Sequence, residues 1–229
     1  MRSKTIDIDI VSRVAKALCE LNDQMVFVGG AVLSFYADIE ADEEVRETYD
    51  VDLTSITLIN YSNYSELLER LAQLGFHADP KGHSICSLQF RGIAVDIMPS
   101  EDGPIGPANR WYKVGFENLW NVRAGMEEIK ILSPPCFIAS KFEAFNDRGE
   151  DYRTSHDIED IIFVLDNRTS IVQEVGDSTA IVRQFLSGEF QKILENKSME
   201  ELLSVHLNPN TIDERFSILL EKVKSIALI

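Results

Sequence analysis

The sequence predicts an α/β fold of the α+β kind: a mixed β-sheet flanked by helices over residues 1–132, then a helical C-terminal domain over 133–229. Three observations carry this. Short apolar runs, "QMVFV", "YDVDLTSITL", "SICSLQF", "IAVDIMP" and "EIKIL", have strand length and are bounded by glycine, proline or polar residues. Between several of them apolar residues return at helical spacing. From Phe137 onward nearly every segment keeps that helical spacing. Such an order of elements places helices on a mixed sheet. No Gly/Ser linker, internal repeat or low-complexity segment interrupts the chain.

Taken in order, Asp9 is placed to cap a helix from Ile10 to about Leu21, in which Val11, Val14, Ala15 and Leu18 recur on one face. "QMVFV" reads as a buried strand ending at Gly29-Gly30, and "AVLSFYA" continues as a helix. "DIEADEEVRE" is an acidic, solvated loop before the strand "YDVDLTSITL". "NYSELLERLAQLGF" is a helix with Asn63 and Glu66 as a capping box and Gly75 as its stop. "SICSLQF-RG-IAVDIMP" predicts a hairpin turning at Arg91-Gly92. After Pro99 comes a Gly/Pro-rich loop carrying "NRWY", then the strand "EIKIL" and a helix opened by Pro134-Pro135. Ser198 with Glu201, and Thr211 with Glu214, repeat the capping-box signature.

At 229 residues and 45% hydrophobic, the chain can bury a substantial core. Its formal net charge of -16 repels nucleic acid on average, so bulk DNA is not an expected partner and any nucleic acid needs a local basic groove. Cys19, Cys86 and Cys136 lack metal-ligand spacing and read as buried reduced thiols. "MRSKTIDIDI" has no apolar run of signal-peptide length and no membrane span follows, which predicts a cytoplasmic protein without a membrane partner. His77, His83 and His206 stand isolated.

The chemistry concentrates in three carboxylates. Residues two apart on a strand face the same side, about 6.6 Å apart at Cα, so Asp50 and Asp52 point together. Asp96, in "IAVDIMP", joins them if its strand is a neighbour. Two charges ~4 Å apart repel by about 4 kcal/mol at an effective dielectric near 20, so such a cluster calls for a cation. Carboxylate oxygens without His or Cys suit Mg²⁺ or Mn²⁺, which often complete their shell with substrate phosphates. Gly29-Gly30 at a strand-to-helix turn lets backbone approach a phosphate.

An apolar residue, Gly-Gly, D-x-D and a later Asp together resemble the nucleotidyltransferase superfamily related to DNA polymerase β. More narrowly, "FVGGAV", "VRETYDVDL", "GIAVDIMP", "NRWY", "SPPCFIASKFEAFNDRGEDY" and "SHDIEDIIFVLD" resemble bacterial nucleotidyltransferases of the AbiEii/AbiGii toxin type. The resemblance implies that Gly29 and Gly30 hold a triphosphate, that Asp50 and Asp52 bind two metals, and that Asp96 shares one metal and helps deprotonate the nucleophile. It also implies that Lys141 contacts nucleotide phosphates, with Arg148 and Asp157 in the same nucleotide-binding motif.

The implied reaction moves an NMP from an NTP, the co-substrate, to an acceptor hydroxyl and releases pyrophosphate. The acceptor is open: tRNA, a protein in a toxin–antitoxin setting with an antitoxin partner, or a cationic small molecule of aminoglycoside type. A catalytically silent binding module of the same fold is the rival class. Arg46 and Thr48, just before the D-x-D, are placed either to reach phosphate or to brace the loop. His156, Asp157, Glu159 and Asp160 open a helix capped by Ser155; they either favour its dipole or orient Lys141 and Arg148. Lys141, in an apolar run, needs an anionic partner. Trp111 and Tyr112 either stack on a base or pack.

Overall fold

The structure, a computed structural model, describes residues 4–38, 45–46, 48–57, 61–80, 82, 86–103 and 106–229; the side chains of 4–7 and 61–62 are not described. Most of the acidic loop and His83 lie outside these residues. Two compact units form, Met1–Phe35 with Val45–Ser133, and Tyr36–Glu44 with Pro134–Ile229.

In the first unit α1 (Lys4–Leu18) is followed by a 3-10 helix (Cys19–Gln24), β1 (Met25–Val28) and a second 3-10 helix (Gly30–Tyr36) whose last residue belongs to the other unit. Then come β2 (Asp50–Ser55), α2 (Tyr61–Gln73), β3 (His77–Ala78), β4 (Ser87–Phe90), β5 (Ile93–Met98), α3 (Arg110–Gly115), β6 (Trp120–Ala124) and β7 (Glu127–Ile131). The described strands make one mixed sheet in the order β3-β4-β5-β2-β1-β7-β6. β2 runs parallel to β5 and β1 parallel to β7, while the other neighbours are antiparallel. Val51, Leu53, Val95 and Ile97 share one buried face, and α1 packs on β2, β6 and β7 through its buried stripe Val11, Val14, Ala15 and Leu18.

Several elements differ from expectation for local reasons. α1 starts before Asp9 and stops at Leu18, because Cys19 turns left-handed (φ 51°) and the chain tightens into the 3-10 helix. That break also leaves Cys19 exposed, whereas Cys86 and Cys136 are buried as expected. "AVLSFYA" forms 3-10 rather than α-helix. α2 begins at Tyr61, so Asn63 lies inside the helix and cannot be its cap; Gly75, at φ 91°, follows its end. The hairpin turn holds: Arg91 (φ 49°) and Gly92 (φ 83°) match a two-residue type I′ loop. The "NRWY" segment is not all loop, since Asn109 caps α3 by accepting from the Trp111 amide at 3.1 Å. Trp111 is only 1% exposed, with the Arg110 guanidinium 4.8 Å from its ring centroid, which favours packing over base stacking.

The second unit holds α4 (Pro134–Arg148), α5 (His156–Asn167), α6 (Ile171–Asp177), α7 (Ala180–Glu195), α8 (Met199–Ser204) and α9 (Ile212–Ala227). α4 opens on the two prolines, whose missing amides cost nothing in a first turn. It closes where Gly149 turns left-handed (φ 62°) and its amide donates to Phe145 O at 3.0 Å. α4 packs on α5 and α7 on α9, with Phe142 and Phe190 edge-to-face at 5.1 Å. Tyr36 completes this core, its ring 4.4 Å from that of Phe137. Arg168 donates to Tyr36 O at 3.0 Å, and the Thr169 hydroxyl donates to Asp38 at 2.8 Å. Ser155, Ser198 and Thr211 occupy the N-cap positions, yet none makes a side-chain cap bond. Ser198 (φ -103°, ψ 26°) and Thr211 (φ -128°, ψ 12°) lack the extended backbone that aims a cap hydroxyl. Among the described residues, no helix is long and apolar enough to cross a membrane.

Candidate active site

Register builds the carboxylate cluster. Across adjacent strands Val28, Asp52, Asp96 and Ser87 form one row, so their side chains share a face, and Asp50 points to that face two residues before Asp52. One oxygen from each of Asp50, Asp52 and Asp96 lies within 4.8 Å of the others. Asp50 is exposed and the other two are half-buried. The donor set is carboxylate oxygen alone, which fits a hard divalent cation such as Mg²⁺ or Mn²⁺ better than a softer metal.

The paired glycines have a use that sequence reasoning missed. A Cβ on Gly29 would lie 2.9 Å from the Cβ of Asp52 and would overlap its carboxylate, and Gly29 itself is left-handed at φ 71°. A Cβ on Gly30 would come 2.8 Å from the guanidinium carbon of Arg46. The two glycines thus leave room for the Asp52 carboxylate and the Arg46 guanidinium. Gly29→Ala should cost at least about 1–2 kcal/mol from the backbone alone, with Asp52 displaced as well. Gly30→Ala pushes only the mobile end of Arg46 and should stay within about 0.5 kcal/mol of wild type. Thermal melts of the two variants check the contrast.

Around the triad, the Thr48 hydroxyl donates to Asp50 Oδ1 at 2.8 Å. Tyr64 is buried, and burial, with a hydrogen bond involving Cys86, pushes its phenol well above the ordinary value of 10; the Asp96 charge adds to this. Tyr64 therefore stays neutral close to the acids. The T-x-D spacing was a visible signal for Thr48, but nothing in the sequence pointed to Tyr64.

Lys141, Arg148 and Asp157 lie in the second unit. Lys141 Nζ is 2.7 Å from Asp160 and 3.4 Å from Asp157, and Arg148 donates to Asp157 at 2.5 Å. Both aspartates are buried, so they orient the two bases rather than merely favouring the α5 dipole.

A sequence profile of the family described as nucleotidyl transferase AbiEii toxin, type IV toxin–antitoxin system, matches residues 14–210. Among solved structures, an antigenic nucleotidyltransferase-like protein from Paracoccidioides brasiliensis superimposes with a TM-score of 0.51 at 16% identity, over 93% of this chain and 98% of that one. JHP933 from Helicobacter pylori gives 0.50 at 13% identity, over 100% of this chain and 94% of that one. At these identities the two likenesses speak for the fold. No curated protein matches the sequence. The profile spans most of the chain and takes in the glycine pair, the D-x-D and Asp96, and on that match the chain belongs to the AbiEii toxin family of nucleotidyltransferases.

Proposed function

We propose that this nucleotidyltransferase is a metal-dependent toxin that transfers an NMP from an NTP to an acceptor hydroxyl on tRNA or protein, and that an antitoxin restrains it in the cell. The observation that carries the reading is the close approach of Asp50, Asp52 and Asp96, three like charges on one sheet face. Bound there, Mg²⁺ or Mn²⁺ would neutralise the triphosphate and stabilise charge in transfer. Asp50, Asp52 and Asp96 would hold the metal, and Asp96 would also help take the proton of the attacking hydroxyl. The acceptor oxygen forms a bond to the α-phosphorus while the bond to the β-bridging oxygen breaks. Pyrophosphate leaves with that electron pair.

Gly29, Gly30 and Arg46 are assigned to the triphosphate. Gly29 and Gly30 place no side chain between the backbone and a phosphate, and Arg46 brings a guanidinium suited to phosphate. Within the second unit, the family resemblance assigns nucleotide binding to Lys141, with Arg148 and Asp157 in the same motif. Most of the catalytic gain is expected from positioning and charge neutralisation.

The test is incubation of the protein with each α-labelled NTP, Mg²⁺ and cell extract, followed by separation of RNA, protein and small molecules. Label in RNA or protein that needs Mg²⁺ and Asp96 supports the reading. Label confined to a cationic small molecule would move the chain to the aminoglycoside type, a reading favoured by its charge of -16. No Mg²⁺-dependent label in any fraction would remove the proposal.

A further inference from the structure

We propose that Thr48 is a positioning residue for Asp50, fixing the carboxylate so that one oxygen stays aimed at the cation; this rests on the metal-dependent reading above. Asp50 is the first residue of β2 and is exposed, so little packing constrains its rotamer. Thr48 is the opposite, 5% exposed although its neighbour Tyr49 is 67% exposed. Its branched Cβ restricts χ1, which gives the hydroxyl a stiff mount. That hydroxyl has one proton and donates it to Asp50 Oδ1 at 2.8 Å, which leaves Oδ2 for a cation.

A neutral donor also suits this place. It lowers the charge density of a cluster whose oxygens lie within 4.8 Å of one another, without adding a cation that competes with the metal. Outer partners of this kind set ligand orientation, and their loss commonly weakens metal binding by about 10–100-fold.

The experiment is calorimetric titration of Mn²⁺ alone into the intact wild-type chain and into Thr48→Val, Thr48→Ser and Asp50→Asn, with thermal melts of each. Valine keeps the shape and removes the donor, so Thr48→Val should melt like wild type yet bind Mn²⁺ about 10–100-fold more weakly. Thr48→Ser keeps the donor and should recover most of that loss. Wild-type affinity in Thr48→Val alongside lost binding in Asp50→Asn would overturn the role of Thr48 and leave the carboxylate site standing. Equal losses in the valine and serine variants would assign the effect to packing and overturn it too. Absence of Mn²⁺ binding in wild type, or wild-type binding in Asp50→Asn, would take down the metal reading together with this inference.

Discussion

Asp52→Asn is expected to reduce nucleotidyl transfer by at least about 10³-fold while raising the melting temperature of the metal-free protein. The two effects have one cause. Asp52 stands between Asp50, on its own strand, and Asp96, its register partner on β5. With oxygens no more than 4.8 Å apart and an effective dielectric near 20, each like-charge pair costs at least about 3.5 kcal/mol before screening. Exposure of Asp50 screens part of this, so the relief is a fraction of that figure. Each kcal/mol relieved should raise the melting temperature by about 2–4 °C. Added Mg²⁺ with NTP should then stabilise wild type and leave Asp52→Asn almost unmoved. Calorimetry with and without Mg²⁺-NTP reads both signs. A melting temperature that falls in the metal-free variant would mean that Asp52 is a structural acid, and the cluster would lose its argument for a cation.

Lys141→Ala should cost the helical unit about 3–5 kcal/mol, the usual penalty for breaking a buried ion pair by removing one partner. The side chain of Lys141 is 11% exposed, and those of Asp157 and Asp160 are 3% and 0% exposed. Alanine takes the ammonium away from both carboxylates and removes a cation lying 5.5 Å from the centroid of the Phe137 ring. Arg148 still reaches Asp157 but is bonded to the opposite oxygen from Lys141. The loss is a large share of an ordinary folding free energy of about 5–15 kcal/mol. Both tryptophans, Trp111 and Trp120, belong to the first unit, so their fluorescence reports on that unit, whereas far-UV circular dichroism covers both units and is weighted towards the helices of the second. In urea, the dichroism transition should shift to lower concentration more than the fluorescence transition. Lys141→Met combined with Asp160→Leu should recover part of the loss, because an apolar pair needs no charge compensation. Denaturation of Lys141→Ala indistinguishable from wild type would show that the network holds nothing together.

How much was legible depended on whether a residue's partners lie at a fixed period along the chain. Asp50 and Asp52 declare their common direction through the strand repeat, and "IAVDIMP" carries the same alternation, so the grouping with Asp96 needed only adjacent strands. Lys141 advertised its need for an acid by standing in an apolar run, and Asp160 meets it. The AbiEii resemblance agreed with the profile over residues 14–210. β6 was missed because "WNVRA" is a half-exposed edge strand with little continuous apolar character. β3 is two residues long, too short for any pattern. Cys19 and the unbonded caps turn on backbone dihedrals that side-chain identity does not dictate. The glycine pair was seen, but its tight fit to Asp52 and Arg46 depends on tertiary approach.

Tyr36 and Asp38 have a consequence for biosynthesis. They leave the ribosome well before Phe137, Arg168 and Thr169, their partners in the helical unit. With about 100 residues between Tyr36 and Phe137 and elongation near 5–20 residues per second, an aromatic side chain destined for full burial waits about 5–20 s for its site to exist. A nascent chain in this state is a natural client for a chaperone. A gene fragment beginning at Pro134 encodes every helix from α4 to α9 and still omits two residues that finish their packing.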